Sequence, residues 1–115
     1  EKMEVCPVDE KNHFVSAVNA FNLPGMRKYR AEGIDDWRAG ERYETIQAAF
    51  ARHKQEPLAF AADVLGGKYG FMCQYDRKTG KDTVWSVIYD VTGGKIYRCE
   101  GNPSRKRFLE DKRSF

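Results

Sequence analysis

The stretch Thr83-Val84-Trp85-Ser86-Val87-Ile88-Tyr89-Asp90 decides the fold, because it is a strand with apolar side chains on both faces. Its odd-numbered side chains point to one face of a sheet and its even-numbered ones to the other. A strand that is apolar on both faces belongs to a layered domain, in which each face is covered. Thr92-Gly93-Gly94 follows as a tight turn and predicts a hairpin with a second strand over Lys95–Glu100.

Two helices are predicted before this hairpin. Apolar side chains recur at three- and four-residue steps after Trp37, which predicts a helix that ends near His53, with Asp35 or Asp36 as its N-cap. A second helix begins at Glu56-Pro57, where proline occupies the first turn, and ends at Gly66-Gly67.

Two further apolar runs complete the prediction. His13–Val18 and Tyr69–Tyr75 are rich in strand-forming residues, so the predicted order is β, α, α, β, β, β. This order favours an α+β domain with helices on one face of an antiparallel sheet. Residues 1–103 form one unit, and residues 104–115 are predicted to be a basic, solvated tail containing Arg105, Lys106, Arg107, Lys112 and Arg113.

Length, charge and hydropathy exclude several classes of protein. A chain of 115 residues supports one modest core. The net charge of +3 is too small to predict nucleic-acid binding, and no apolar run approaches the roughly 20 residues of a membrane span. The opening residues EKMEVCPV lack the apolar core of a signal peptide. We therefore expect neither a nucleic acid nor a membrane as partner.

The cysteine pattern argues against a metal site or a disulfide framework. Cys6, Cys73 and Cys99 are an odd number, widely spaced, without a CxxC pair. Cys73 and Cys99 fall in apolar runs and are predicted to be buried, reduced thiols. Reduced thiols slightly favour the cytoplasm, although the sequence does not identify the compartment.

One apolar face of the predicted sheet has nothing to cover it. The two helices account for a single face, and the chain offers no further layer for the other. Either the chain forms a homo-oligomer, or it is part of a larger protein.

Four motifs resemble a known family. His13–Phe21 resembles the strand with a Thr-Asn-His-Phe type motif in the choloylglycine hydrolase and acyl-CoA:penicillin acyltransferase group. Arg42-Tyr43 stands where that family has an arginine followed by an aromatic residue. Thr83–Asp90 is similar to its Thr-Leu-Trp-Ser-Val-Val-Tyr-Asp run, and Gly101-Asn102-Pro103 matches its closing Gly-Asn-Pro. The resemblance covers roughly Val5 to Pro103.

The sequence departs from the family pattern at several positions. Val18 and Ala20 replace the usual residues around Asn19, and Gly40-Glu41 replaces the serine before the arginine.

The resemblance implies a fold and a reaction. The family members are N-terminal-nucleophile enzymes, so this chain would be the C-terminal part of an αββα fold. The reaction would be hydrolysis or acyl transfer at a linear, non-peptide C–N amide bond of a small molecule, without a metal or organic cofactor. The nucleophile is an N-terminal cysteine whose α-amine serves as the base. Cys6 precedes Pro7 inside the chain and has no free amine, so another segment or subunit would carry the nucleophile.

The same resemblance assigns two site residues, each with a plainer alternative. Asn19 would donate a hydrogen bond in the oxyanion hole, or it simply turns the chain after a strand. Arg42 would favour the thiolate as a fixed positive charge, or it pairs at the surface with Glu41 or Glu44. The alternative function for the whole chain is a freestanding α+β binding module without catalysis. We expect the chain alone to hydrolyse no amide.

Other candidate residues have structural explanations. His13 has no serine or cysteine partner nearby in the sequence, and His53 suits the C-terminus of a helix. Trp85 and Tyr89 are strand aromatics, which lie in a core more often than against a ligand.

Overall fold

The computed structural model describes residues 3–10, 13–30, 32–35, 37–52 and 55–113. Within these ranges the chain forms two α-helices and a three-stranded antiparallel sheet in the order β1-β2-β3. The helices and strands are α1 (Ala39–Arg52), α2 (Pro57–Leu65), β1 (Trp85–Asp90), β2 (Lys95–Glu100) and β3 (Leu109–Asp111). Short 3-10 turns span Arg27–Tyr29 and Arg77–Thr79. The predicted α+β class is confirmed.

The hairpin of β1 and β2 forms as predicted. Ser86 pairs with Cys99 and Ile88 with Tyr97, so these four side chains share one face. In the turn, the backbone N–H of Gly93 donates to Oδ1 of Asp90 over 2.8 Å. Gly94 has a φ of 65°, which glycine adopts without strain, and the turn can therefore close tightly.

The two faces of this sheet have different surroundings. One face bears Cys99 and Tyr97. There Tyr97 lines a cavity together with Ala62 of α2, and Cys99 is fully buried. On the opposite face Trp85, Tyr89 and Leu109 are 50%, 60% and 68% exposed. Among the described residues, one face is thus covered by helix and the other is open, as the sequence led us to expect.

The predicted strand over His13–Val18 does not form. The segment is extended, and exposed and half-buried side chains alternate along it, but its one ladder contact is an isolated bridge between Val18 and Ala20. In the described ranges no backbone hydrogen bond joins residues 13–17 to a neighbouring strand. The strand pattern is present without a partner to complete it.

The predicted strand over Tyr69–Tyr75 is also wrong, because the run consists of turns and bends. Gly70 has a φ of 146°, which breaks the extended path. The side chain of Gln74 then accepts hydrogen bonds from the backbone N–H groups of Met72 and Cys73, at 2.7 and 2.9 Å. Tyr69 and Met72 of the run pack against the core between the two helices.

The predicted tail is in part a strand. Leu109–Asp111 pairs with β2, with Leu109 opposite Arg98, so these residues belong to the sheet. Its charges are also partly neutralised, because Arg105 pairs with Asp82 at 2.7 Å. Three strand residues are too few for a period-two pattern to stand out among the surrounding charges.

The core is small and aromatic. Ala49 of α1 packs with Phe60 and Val64 of α2, and Ile46, Phe50, Tyr69 and Met72 surround them. Phe60 meets Phe50 edge-on, with ring centroids 4.9 Å apart, which is a favoured aromatic geometry. Both helices occur near their predicted positions, with Pro57 in the first turn of α2 and Glu56 capping it through its side chain. The predicted end of the first helix at His53 lies outside the described residues.

No helix in the described part of the chain has both the length and the apolar character that crossing a membrane requires.

Candidate functional site

The start of α1 is fixed by Asp35. Its Oδ2 accepts a hydrogen bond from the backbone N–H of Gly40 over 2.9 Å, and its carbonyl accepts one from Arg38 N–H over 2.9 Å. Backbone N–H groups of Ala39 and Gly40 stabilise the carboxylate and lower the pKa of Asp35. Of the two predicted caps, Asp35 therefore has this role, while Asp36 lies outside the described residues.

Arg38 forms an unusual turn immediately before α1. It has a φ of 52°, which is uncommon for a residue other than glycine. Its guanidinium lies 3.4 Å from the ring centroid of Phe71 and donates to both carboxylate oxygens of Glu41, at 2.6 and 2.7 Å. Glu41 pairs with Arg38, and among the described residues no ion pair joins Arg42 to Glu41 or Glu44, so the plainer explanation of Arg42 does not apply.

Arg42 is held from two sides in the first turns of α1. Its Nε donates to the carbonyl oxygen of Trp37 over 3.2 Å, and its Nη2 donates to Oδ1 of Asn19. The Trp37 carbonyl also accepts a hydrogen bond from the Tyr75 hydroxyl over 2.6 Å. The half-buried guanidinium is thereby oriented toward Asn19.

Asn19 reaches Arg42 because the preceding segment runs antiparallel along α1. Phe14 stacks on Phe50 with ring centroids 3.9 Å apart, and Gln47 Nε2 donates to Ser16 Oγ over 3.0 Å. Each anchor lies closer to the helix start than the one before, so the segment delivers Asn19 to the first turns. The structure thus brings together the two site residues named from the sequence, although 23 positions separate them.

The hydrogen bond from Arg42 also fixes the orientation of the Asn19 amide. A guanidinium only donates, so the amide oxygen faces Arg42 and the Nδ2 group points away. In the part of the chain that the structure describes, this Nδ2 group makes no hydrogen bond. Asn19 is exposed and lines a cleft of about 830 Å³, together with Trp37 and Asp35. Asn19 is therefore a lining residue of the cleft whose N–H donor has no partner among the described residues.

None of the three cysteines lines this cleft. Cys6 lines a separate cavity, and Cys73 and Cys99 are buried as free thiols, as predicted. Burial raises the pKa of both buried thiols, which keeps them protonated and unreactive. Nor does His13 line the cleft. Within the described ranges, no group of three or more metal-ligating side chains lies close enough to hold an ion.

Two elements of this arrangement were not visible in the sequence. Tyr75 supports Arg42 through the backbone carbonyl of Trp37. Every residue has a backbone carbonyl, so the residue types do not predict such a contact. Asn102, in the Gly-Asn-Pro motif, is 2% exposed, and its side chain joins Cys73 O and Asp82 Oδ1 at 2.6 and 2.7 Å. The Gly-Asn-Pro motif therefore has a structural role, because Asn102 joins the segment after β2 to Cys73 and Asp82.

Comparison of the chain with protein-family models, with curated proteins and with solved structures finds no match.

Proposed function

We propose that this chain is the C-terminal part of an amide hydrolase or acyltransferase, whose N-terminal cysteine nucleophile lies on another segment or subunit. One observation carries the proposal: Arg42 donates to the Asn19 amide oxygen, and Asn19, whose Nδ2 has no partner among the described residues, lines a cleft. This is a preorganised donor beside a positive charge, the arrangement that amide cleavage through a thiol requires. The fold proposed for the complete enzyme is the αββα sandwich of N-terminal-nucleophile hydrolases.

The proposed chemistry assigns one task to each residue. When a thiolate attacks an amide carbonyl, negative charge develops on the oxygen, and Asn19 Nδ2 donates to that oxygen. Arg42 keeps the donor oriented, and its charge favours the thiolate over the thiol. The attack gives an acyl-cysteine and releases the amine after proton transfer. Water or an acceptor amine then takes the acyl group and regenerates the cysteine.

Two surfaces support the presence of a further polypeptide. The extended segment 13–17 lacks a strand partner in the described part of the chain. The sheet face bearing Trp85, Tyr89 and Leu109 is exposed. A second sheet stacked on that face would bury these side chains, as sheets do when they pack about 10 Å apart.

The first test asks whether such a segment exists. We expect the coding sequence to continue upstream of Glu1 to a cysteine that processing exposes, and the native complex to exceed the 13.3 kDa of this chain. An open reading frame that begins within a few codons of Glu1, together with a native mass of one chain, would refute the proposal.

The second test uses the complete protein with a glycine-conjugated bile acid, a penicillin and an N-acyl amino acid as probes. Asn19→Ala should lower the acylation rate by about 10²–10³, the usual effect of losing one oxyanion donor. Arg42→Ala should lower it too and move the acid limb of the pH–rate profile to higher pH, because a thiol without a nearby cation ionises less readily. Arg42→Lys, which keeps a positive charge, should show a smaller shift than Arg42→Ala.

Matched controls are available on the same scaffold. Arg52→Ala removes an exposed arginine from the last turn of α1, and Gln55→Ala removes an exposed side-chain amide remote from the cleft. Both controls should retain wild-type rates. Wild-type rates in Asn19→Ala and Arg42→Ala would remove these residues from the site.

The open sheet face also favours a second candidate, a freestanding binding module that pairs through Trp85, Tyr89 and Leu109. In that case the chain alone should form a stable homodimer, or a stable complex with another protein. Trp85→Asp should dissociate the complex, while Asn19→Ala should leave it intact. The hydrolase proposal, in contrast, expects Asn19→Ala to lower the acylation rate.

A further inference from the structure

A second cavity lies on the other side of the segment that carries Asn19. Its volume is about 660 Å³, within the range of small-molecule sites. Its walls are largely apolar and include Met3, Val5, Phe14, Phe21, Leu23 and Met26. Met3, Val5 and Phe21 are 87%, 67% and 47% exposed, so apolar side chains reach the solvent at its rim. Such a surface is typical of a binding site.

Glu4 gives this cavity a specific chemistry. It is the one charged side chain among the described lining residues, and its Oε2 is buried without a hydrogen-bond partner. The carboxylate lies against the Pro24-Gly25 turn, where a Cβ at Gly25 would lie 3.0 Å from Oε2. A buried acceptor without a donor destabilises the folded chain, and a charged one does so more strongly. Oε2 of Glu4 is thus an acceptor that lacks a donor inside the described part of the chain.

Two neighbouring side-chain amides donate to other groups and not to Glu4. Gln47 donates to Ser16 over 3.0 Å, and Asn22 donates to the carbonyl of Ala20 over 3.1 Å. No lysine or arginine is among the described residues that line the cavity. No described residue donates to Oε2 of Glu4, so a ligand in the cavity would supply that donor.

We propose that the cavity binds a primary ammonium group attached to an apolar body. An ionised carboxylate only accepts hydrogen bonds, and its strongest partners are cationic donors. The apolar walls fit the hydrocarbon part of such a ligand, while Glu4 binds its charged end. This site goes beyond the proposed amide chemistry and does not depend on it. Ala20 and Phe21 line both this cavity and the cleft of Asn19, so a ligand bound here would lie next to that cleft.

The methionines allow a direct test in the full chain. The sequence has three of them, of which Met3 and Met26 line the cavity, whereas Met72 packs at the core. With ¹³C-methyl methionine, titration with n-hexylammonium should shift Met3 and Met26 in a saturable manner and leave Met72 unchanged. 1-Hexanol has the same chain without the charge. It should bind about tenfold more weakly, because a charge-assisted hydrogen bond is lost.

Two variants test the role of Glu4. Glu4→Gln keeps the shape and removes the charge, so it should abolish the preference for n-hexylammonium over 1-hexanol. Glu10→Gln removes an exposed carboxylate of the same N-terminal segment and should retain the preference. An unchanged Met72 signal would report that the core of each variant is intact. The proposal is overturned if wild type binds the amine and the alcohol equally, if Met3 and Met26 do not respond, or if Glu4→Gln keeps the preference.

Discussion

Substitution of Asn102 should produce a large loss of stability, because its side chain connects three parts of the chain. It donates to Cys73 O and Asp82 Oδ1, at 2.6 and 2.7 Å, and accepts from the N–H and hydroxyl of Ser104, at 3.0 and 2.7 Å. Each hydrogen bond contributes about 0.5–1.5 kcal/mol net. Four such bonds together contribute about 2–6 kcal/mol. Asn102→Ala should therefore lower the free energy of unfolding by about 3 kcal/mol, in the lower half of that range after one correction.

The correction comes from the groups left behind. Cys73 O still accepts from the N–H of Tyr75 at 2.9 Å, and Asp82 Oδ1 still accepts from the N–H of Thr83 at 2.9 Å, so neither is orphaned. Ser104 is exposed and can bond to water. A loss of about 3 kcal/mol is nonetheless a large fraction of the 5–15 kcal/mol that stabilises a typical domain.

Urea denaturation followed by circular dichroism measures this loss. Asn102→Asp separates hydrogen bonding from cavity formation, since it preserves the volume but replaces the donor with a carboxylate beside Asp82. It should be at least as unstable as Asn102→Ala. Asn22→Ala, which removes a half-buried asparagine with bonds to Ala20 and Arg30, should cost about 1 kcal/mol, the lower end for two bonds, because the bond to Arg30 is exposed to water. Near-wild-type stability of Asn102→Asp would refute the reasoning.

Two further predictions concern stability and thiol reactivity. Asp35→Ala should lower the free energy of unfolding by about 1 kcal/mol through the lost cap of α1, measured in urea at pH 7. The pKa of Asp35 is lowered in the folded state, so its contribution is present above the unfolded value of about 3.9. This contribution to stability is lost as the pH falls through the pKa of Asp35 in the folded state. Asp35→Asn should keep the cap but lose this pH dependence. Equal pH profiles of stability for wild type and Asp35→Asn would contradict the assignment. With a thiol reagent, Cys6 should react first, and Cys73 and Cys99 only on unfolding, because burial raises their pKa; early labelling of either would contradict their burial.

The sequence predicted the elements whose signals are local. The hairpin of β1 and β2 follows from alternation and a Gly-Gly turn, and α2 follows from Pro57 and its apolar stripe. His13–Val18 and Tyr69–Tyr75 have similar local composition but form no strand, because a strand also needs a partner and periodicity does not supply one. That Asn19 and Arg42 belong to one site was expected from the family resemblance alone. Its support by the Trp37 carbonyl depends on tertiary structure and has no local signal.

The open sheet face and segment 13–17, which has no strand partner in the described part of the chain, make different demands on a further polypeptide. The face needs side chains packed over Trp85 and Tyr89, which a second copy of the chain would supply. The segment needs backbone donors and acceptors from an adjacent strand, which a face-to-face homodimer does not provide. Amide hydrogen exchange distinguishes the two: residues 13–17 should be protected in a complete layered hydrolase and exchange freely in a dimer that pairs by its sheet face. Free exchange of residues 13–17 in the native complex would therefore count against the hydrolase proposal.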